Sequence, residues 1–481
     1  MPEDKALFAF TNACDKTKDN DLAMELLLAE LPKAPSIIIT NDLRSSLSSD
    51  YQVLDFSVLQ SSEHSRTDIN AIILYKPVFN IAPLALFSQV LDALESTGIF
   101  LIIDTFKTRF STVGTCSVNL LSDFLALAAR FNFKLEQEQI LATDESNQQV
   151  EVFLKLRKGS YPKWRLSYLD KSDIKQMLAL FENTFHHEMS LALRQWKYAH
   201  PDSCTVCVWK DEQLIASVGG MPRKVLFFGQ PQTSVQIGDS MVDASKRGIL
   251  TKTGAFFRMN ATFFECCVGF GKPFLFAFGF PSERALRLAD HLNLYQEVGR
   301  LLGFSWPNLL KNTRFFTSLI EINATNITRF SLKINRLWLS MAADLQDNIV
   351  GIRDAQYILN RYLQHPENEY RLFLMRHKLT RKVTGLIVLH VQDGRCSLID
   401  LITPLAGISE LLSQARYLSN FLHCERLFCQ ISNTFAEYFK TEAYQQEDCA
   451  IPISTGIWAV GPDPKDLVNT LWLMSGDMDF K

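Results

Sequence analysis

Residues 236–257 read QIGDSMVDASKRGILTKTGAFF, a strand that ends in a short basic loop followed by the start of a helix. The loop contains Arg247, Gly248 and Lys252. The first backbone N–H groups of a helix have no intrahelical acceptor, and the helix dipole makes that end positive. This stretch therefore predicts an anion-binding site.

Regular elements are predicted on both sides of this stretch. Apolar periodicity and β-rich runs predict helices over 172–185, 191–198, 253–268 and 282–292, a hairpin of 204–210 with 213–220, and a strand over 273–278. Over residues 164–305 this order resembles the GNAT acyltransferase family. In that family a strand, a loop of the pattern Arg/Gln-x-x-Gly-x-Gly/Ala and a helix N-terminus hold the pyrophosphate of acyl-coenzyme A. Residues 330–481 resemble the same family more weakly.

The resemblance implies a donor site for acetyl-CoA or another acyl-CoA. The residues it assigns to the pyrophosphate are Arg247, Gly248, Ile249, Leu250, Thr251 and Lys252. Leu250 stands where the second glycine of the family pattern belongs. The backbone N–H groups around Met241 and Val242 are expected to polarise the thioester carbonyl. No metal site is predicted.

Asp239 is the predicted general base, because its strand faces the thioester in the family and a carboxylate suffices to remove a proton from an amine. A strand-end aspartate that only hydrogen-bonds a turn is the alternative. Many family members carry a tyrosine that protonates the leaving thiolate, but Ala289 occupies that position here. Tyr295 or His291 is the substitute; the alternative is a core tyrosine and a surface histidine.

A second segment echoes the first at a separation of about one domain, which indicates a diverged duplication rather than a short repeat. The segment WKYAHP, residues 196–201, precedes one hairpin, and NRYLQHP, residues 360–366, precedes another. Alignment of residues 241–248 with 398–405 places Pro404 opposite Arg247. Proline has neither an N–H nor a charge, so the second copy is predicted to lack a donor site. The C-terminal residues 472–480 also resemble the final strand of GNAT proteins.

The N-terminal 158 residues read as alternating strands and helices, typical of an α/β domain with a largely parallel sheet. Strands are predicted at 36–40, 51–56, 71–75, 98–104 and 150–156, and helices at 82–95 and 120–131. The later part of this order resembles class I methyltransferases. The first strand-to-helix turn, residues 41–46, contains no glycine, although nucleotide or adenosyl cofactors need one there. We therefore predict that this domain binds no such cofactor.

The length of 481 residues suits about three domains, and 47% hydrophobic residues supply their cores. The predicted fold class is α/β, with a Rossmann-like domain at 1–158 followed by GNAT-like α+β domains with mixed sheets at 164–322 and 326–481. A net charge of -3 argues against nucleic acid as a partner. The first 21 residues lack an apolar run, no stretch is apolar enough to span a membrane, and the ten cysteines suit reduced thiols, so a cytoplasmic location is expected.

The predicted function is N-acyl transfer from acyl-CoA to a primary amine of a small molecule; family resemblance alone suggests an amino sugar or another cell-envelope precursor. Two alternatives stay open. One is a non-catalytic binding or assembly protein built from degenerate enzyme domains. The other is an aminoacyl transferase of the peptidoglycan type. The oligomeric state is also open, with a homodimer among the alternatives.

Overall fold

The computed structural model describes residues 5–10, 25–27, 29–30, 37–38, 52–53, 69–75, 82–108, 120–311 and 316–478. The chain forms two compact units. The first comprises Met1–Thr184, Thr205–Val218 and Met241–Pro273, and the second comprises Phe185–Cys204, Gly219–Ser240 and Phe274–Lys481. The limits of these units differ from the predicted boundaries at 158 and 322, and the division into three domains stays a prediction.

The N-terminal part of the chain alternates strands and helices. Its elements are β1 (Lys5–Phe10), β2 (Ile37–Ile38), β3 (Gln52–Val53), β4 (Ile69–Tyr75), α1 (Pro83–Ala93), β5 (Leu94–Lys107), α2 (Leu121–Arg130), β6 (Phe133–Asp144) and β7 (Gln149–Lys158). Most of the predicted strands and helices lie within two or three residues of these bounds. Strands β1 and β6 were not among the predicted strands. The glycine-free turn at 41–46 lies outside the described residues.

The sheet of the first unit has the order β1-β4-β5-β7-β6. Strands β1, β4 and β5 are parallel, whereas β7 is antiparallel to both β5 and β6. The expectation of a largely parallel sheet therefore holds for only half of it, because β6 and β7 are joined by a short turn and so form a hairpin. Helices α1 and α2 bury Phe87 and Phe124, whose ring centroids are 4.8 Å apart. The Rossmann-like and methyltransferase-like character stays a prediction.

The middle of the chain supplies the elements of the candidate site. They are β8 (Arg165–Tyr168), α3 (Ile174–Phe185), α4 (Leu191–Lys197), β9 (Cys204–Lys210), β10 (Gln213–Phe227), β11 (Gln230–Val242), α5 (Ala255–Cys267), β12 (Ala277–Gly279), α6 (Glu283–His291) and β13 (Tyr295–Pro307). Serine side chains cap two of these helices: Ser190 accepts from Leu193 N at α4, and Ser282 accepts from Ala285 N at α6.

The remaining elements belong to the second unit. They are β14 (Thr317–Ile322), α7 (Ile327–Asp344), β15 (Ile349–Gly351), α8 (Ala355–Ile358), β16 (Tyr370–His377), β17 (Val383–Gln392), β18 (Arg395–Ile402), α9 (Ile408–Phe421), β19 (Arg426–Ser432), β20 (Gln445–Gly456), α10 (Pro464–Leu467) and β21 (Leu471–Trp472). A π-helical turn, Leu359–Leu363, follows α8. Apolar residues of α7, α9 and the neighbouring strands form one buried core.

The second unit contains one mixed sheet with the order β14-β16-β17-β18-β19-β13-β20-β12-β11-β10-β15-β21. Three neighbouring pairs are parallel: β11 with β12, β18 with β19, and β15 with β21. Strand β20 lies between β12 and β13 and is antiparallel to both. The mixed sheets agree with the predicted α/β class. No helix in the described ranges is long and apolar enough to cross a membrane.

Candidate functional site

Asp239, the predicted base, lies on β11 in a backbone conformation that is unusual for a strand. Its φ is 47°, in the left-handed region, which aspartate tolerates better than most residues. Its carboxylate accepts two hydrogen bonds: Lys197 Nζ donates to Oδ1 at 2.6 Å, and the Tyr198 hydroxyl donates to Oδ2 at 2.6 Å. The side chains of Asp239 and Lys197 are only 5% and 4% exposed. The contacts therefore form a buried cluster, Lys197–Tyr198–Asp239, at the end of α4.

Gly219 on β10 makes room for this cluster. A Cβ atom at Gly219 would lie 2.0 Å from the Tyr198 hydroxyl, closer than any real contact allows. Any side chain there would displace the hydroxyl from Asp239. No role was predicted for Lys197 or Tyr198. The one sequence signal that included them was the echo between residues 196–201 and 360–366.

A second pair with the same chemistry lies in the echoing segment. The Tyr362 hydroxyl, on the π-helical turn, donates to Asp400 Oδ2 on β18 at 2.7 Å. When the His-Pro pairs of the two segments are aligned, Tyr198 stands opposite Leu363, so a match of Tyr198 with Tyr362 needs one inserted residue. The duplication stays a prediction.

Short turns follow both aspartate-bearing strands. A 3-10 turn follows Asp243 at Ala244–Lys246, and another follows Pro404 at Leu405–Gly407. The second turn passes directly into α9. The alignment of Pro404 with Arg247, and the lack of a donor site in the second copy, stay predictions.

A cavity of about 550 Å³ adjoins the Lys197–Tyr198–Asp239 cluster within the second unit. Lys197 belongs to both, since it lines the cavity and bonds Asp239. Aromatic side chains form a large part of the wall: Trp196, Phe276, Phe278 and Tyr357. A cavity of this size with an apolar wall and a few polar groups is typical of a small-molecule site.

Charged side chains also line the cavity. Arg223, Arg361 and Asp477 line the cavity. Arg361 Nε donates to Gly476 O at 2.9 Å, and its guanidinium lies 5.0 Å from the centroid of the Trp196 ring. Burial lowers the pKa of Arg223, and the nearby charge of Arg361 lowers it further.

Behind this wall is a fully buried arginine that bridges two carboxylates. Arg353 Nε donates to Asp400 Oδ1 at 2.9 Å, and Nη2 donates to Asp477 Oδ2 at 2.6 Å. Arg353 and Asp400 are completely inaccessible to solvent. The bridge holds residues that are 124 positions apart in the chain, so it fixes the C-terminal segment beside the cavity.

Tyr295, the predicted acid, is at the start of β13, where it pairs with Gly456 of β20. It is 6% exposed, and burial raises the pKa of its hydroxyl. Tyr295 is not among the residues that line the cavity. His291, the alternative, is exposed in the last turn of α6.

The predicted donor loop belongs to the first unit. Met241 and Val242 end β11, and Asp243 caps the following turn by accepting from Ser245 N at 2.9 Å. Residues 247–253 are exposed, and Arg247 Nε donates to Val242 O at 2.8 Å. All the predicted donor residues therefore lie together at the end of one strand and in one exposed loop.

Two glycines shape this loop. Gly248 has a φ of 110°, which strains any other residue. Gly254 is the N-cap of α5, and a Cβ there would lie 2.2 Å from Ile249 O, so only glycine allows the loop to close onto the helix. No side chain caps this helix, which leaves its first N–H groups to another acceptor. The sequence indicated the helix start near Thr253 but assigned no role to Gly254.

These features fit the diphosphate of an acyl-CoA. The loop is exposed, it carries Arg247 and Lys252 and leads directly into the uncapped start of α5, and Gly254 lets its backbone pass close to Ile249 O. The residues that would hold the diphosphate are Arg247, Gly248 and the first residues of α5.

Comparisons with solved structures find distant likenesses. A probable N-acyltransferase of Enterococcus faecalis, a conserved protein of unknown function, is 13% identical with a TM-score of 0.47, over 61% of this chain and 72% of its own. A GCN5-related N-acetyltransferase from Kribbella flavida is 14% identical with a TM-score of 0.45, over 61% and 71%. Saccharomyces cerevisiae N-myristoyltransferase with bound myristoyl-CoA and inhibitors is 10% identical with a TM-score of 0.43, over 70% and 92%.

Sequence comparison is more specific. None of the curated proteins matches the chain. The family model described as an acetyltransferase (GNAT) domain matches residues 165–286, which include Lys197, Tyr198, Asp239 and the loop 247–254. Residues 165–286 are therefore similar to a GNAT acetyltransferase domain.

Proposed function

We propose that this protein is an N-acyltransferase that moves an acyl group, acetyl or longer, from acyl-CoA to a primary amine. The observation that carries the proposal is the GNAT domain match, which spans the exposed glycine-shaped loop and Asp239. The acyl-CoA thioester supplies an activated carbonyl. The acceptor is a small molecule, and an amino sugar or another envelope precursor remains the proposed class.

In this mechanism Asp239 receives the proton that the amine must lose. Its carboxylate is held in place by Lys197 and Tyr198, so it does not rotate away from the acceptor. The backbone N–H groups near Met241 and Val242 are proposed to stabilise the oxyanion. Tyr198 is a positioning residue for Asp239.

Two tyrosines are candidates for protonating the thiolate that leaves. Tyr295 is the residue that the sequence predicts, and Tyr198 is the one whose hydroxyl contacts Asp239. A hydroxyl bonded to the base is well placed to return a proton to the leaving group. We favour Tyr198 because its hydroxyl bonds Asp239, so the residue that positions the base would also be the acid, whereas Tyr295 is buried at the start of β13.

Acyl-CoA binding is tested by thermal unfolding. At a hundred times its Kd, acetyl-CoA is expected to add about 2.7 kcal/mol to the unfolding free energy and so to raise the melting temperature. Arg247→Ala should weaken binding about tenfold to a hundredfold, because it removes a charged hydrogen-bond donor. Arg329→Ala, which removes an exposed arginine of the second unit, is the control and should bind as wild type. An unchanged melting temperature with acetyl-CoA and myristoyl-CoA would contradict the proposed function.

The roles of the tyrosines are tested by removing one hydroxyl at a time. Tyr198→Phe is expected to lower kcat at least about tenfold, because Asp239 loses a hydrogen bond and the thiolate loses its nearest donor. Tyr295→Phe should lower kcat less. The measurement is free CoA released at saturating amine. A large loss in Tyr295→Phe with normal activity in Tyr198→Phe would assign the acid to Tyr295.

A further inference from the structure

Two arginines of the cavity have no carboxylate in contact among the described residues. Arg223 donates only to the neutral amide of Gln236, from Nε at 2.9 Å and from Nη2 at 2.5 Å. Arg361 donates only to backbone carbonyls, those of Gly476 and Met478. Arg361 is 5% exposed. Arg361 is thus withdrawn from water, Arg223 is half-buried, and the hydrogen-bond partners described for both are neutral.

The carboxylates near the cavity are already engaged. Asp477 is bonded to Arg353, which also holds Asp400. Asp239 is paired with Lys197, and Asp354 caps α8 by accepting from Tyr357 N at 2.8 Å. Neither carboxylate of the described wall, Asp354 or Asp477, therefore forms an ion pair with Arg223 or Arg361, although the charge of Asp477 acts on Arg223 from a distance.

The nearby histidine adds no compensating charge. His365 packs against Trp196 with the ring centroids 4.3 Å apart and the planes tilted by 58°, and burial together with Arg361 lowers the pKa of His365 to about 4. It is neutral at pH 7. Desolvated positive charge without a counter-ion in contact costs free energy, so a fold that retains it leaves a place where an anion is bound favourably.

The geometry of a guanidinium suits two classes of anion. Its planar N–H groups match carboxylate and phosphate oxygens. The aromatic side chains that line the same cavity, Trp196, Phe276 and Phe278, suit the apolar body of a small molecule. Lys197 connects this cavity to Asp239, the proposed base.

We propose that this cavity binds the amine acceptor through an anionic group, a carboxylate or a phosphate, held by Arg223 and Arg361. The substrate class is then an anionic amine, such as an amino acid or an amino-sugar phosphate, whose amino group is presented to Asp239. This inference rests on the proposed function and names the acceptor of the same site.

Anion binding is tested first, without any acyl transfer. The probes are inorganic phosphate and acetate, and the measurement is the melting temperature of the full chain at constant ionic strength. At least one of the two anions should raise the melting temperature of the wild type, and Arg223→Gln should remove that rise. Arg371→Gln, which takes the same charge from a partly exposed arginine paired with Glu321, should keep it. Equal increments in wild type and Arg223→Gln, or none in either, would overturn the proposal.

The acceptor class is tested next with matched amines. Glucosamine 6-phosphate is compared with glucosamine, and phenylalanine with phenylalaninamide, in kcat/KM. The anionic member of one pair should be preferred about tenfold or more, and Arg223→Gln should abolish the preference. A preference within the glucosamine pair would indicate a phosphate site, and a preference within the phenylalanine pair would indicate a carboxylate site. Absence of a preference in both pairs would overturn the proposal. Failure of the proposed function has a different signature: acetyl-CoA then leaves the wild type unaffected while the Arg223-dependent anion response persists.

Discussion

Asp239→Asn is expected to lower kcat by a factor of about 100 or more, because the amide cannot accept the proton of the amine. The variant keeps the size of the side chain and leaves an oxygen for the Tyr198 hydroxyl. Acyl-CoA binding should persist, because the predicted donor residues are those of the loop 247–252 and the end of β11. The measurement is steady-state acyl transfer with acetyl-CoA binding determined in parallel.

The matched control for this variant is Lys197→Gln. Both substitutions break the same buried ion pair, so both are expected to destabilise the fold. Only Asp239→Asn removes the base. Lys197→Gln should therefore keep most of the activity at a temperature where both variants are folded. Equal losses of kcat in the two variants would show that Asp239 acts through the ion pair alone.

Arg353→Leu is expected to lower the unfolding free energy by about 3–5 kcal/mol, because it leaves Asp400 and Asp477 buried without a counter-ion. The two carboxylates each bond this one guanidinium, and burial already raises the pKa of Asp477. Urea unfolding followed by tryptophan fluorescence measures the effect.

An exposed arginine of the same unit provides the comparison. Arg300 also bridges two carboxylates, Glu283 and Glu297, but its side chain is 35% exposed. Arg300→Leu should lower the unfolding free energy by less than about 1 kcal/mol. Adding Asp400→Asn and Asp477→Asn to Arg353→Leu should restore part of the lost stability. Similar losses of unfolding free energy in Arg353→Leu and Arg300→Leu would contradict the argument that burial makes the loss of Arg353 more costly.

Local signals were sufficient to predict many of the elements around the site. The predicted helix 282–292 corresponds to α6 because a capping serine precedes a strongly amphipathic run. The start of α5 was predicted within two residues. The exposed donor loop was predicted for the same reason, since strand, basic loop and helix follow one another directly in the sequence.

Contacts between distant residues could not be predicted in this way. Lys197 and Asp239 meet because α4 ends beside β11, and their separation of 42 residues has no local signature. Arg353 and Asp477 meet across 124 residues for the same reason.

The position of β20 has a consequence for biosynthesis. This strand separates β12 from β13, and Thr455 on it bonds Ala277 O at 2.8 Å, although the ribosome makes β20 long after both neighbours. The edges of β12 and β13 that face β20 must therefore wait unpaired until residues 445–456 emerge, so the sheet closes only after β20 has been made. Such non-local pairing folds slowly and leaves strand edges exposed to aggregation. Fragments that end before residue 445 are accordingly expected to depend on chaperones or to precipitate.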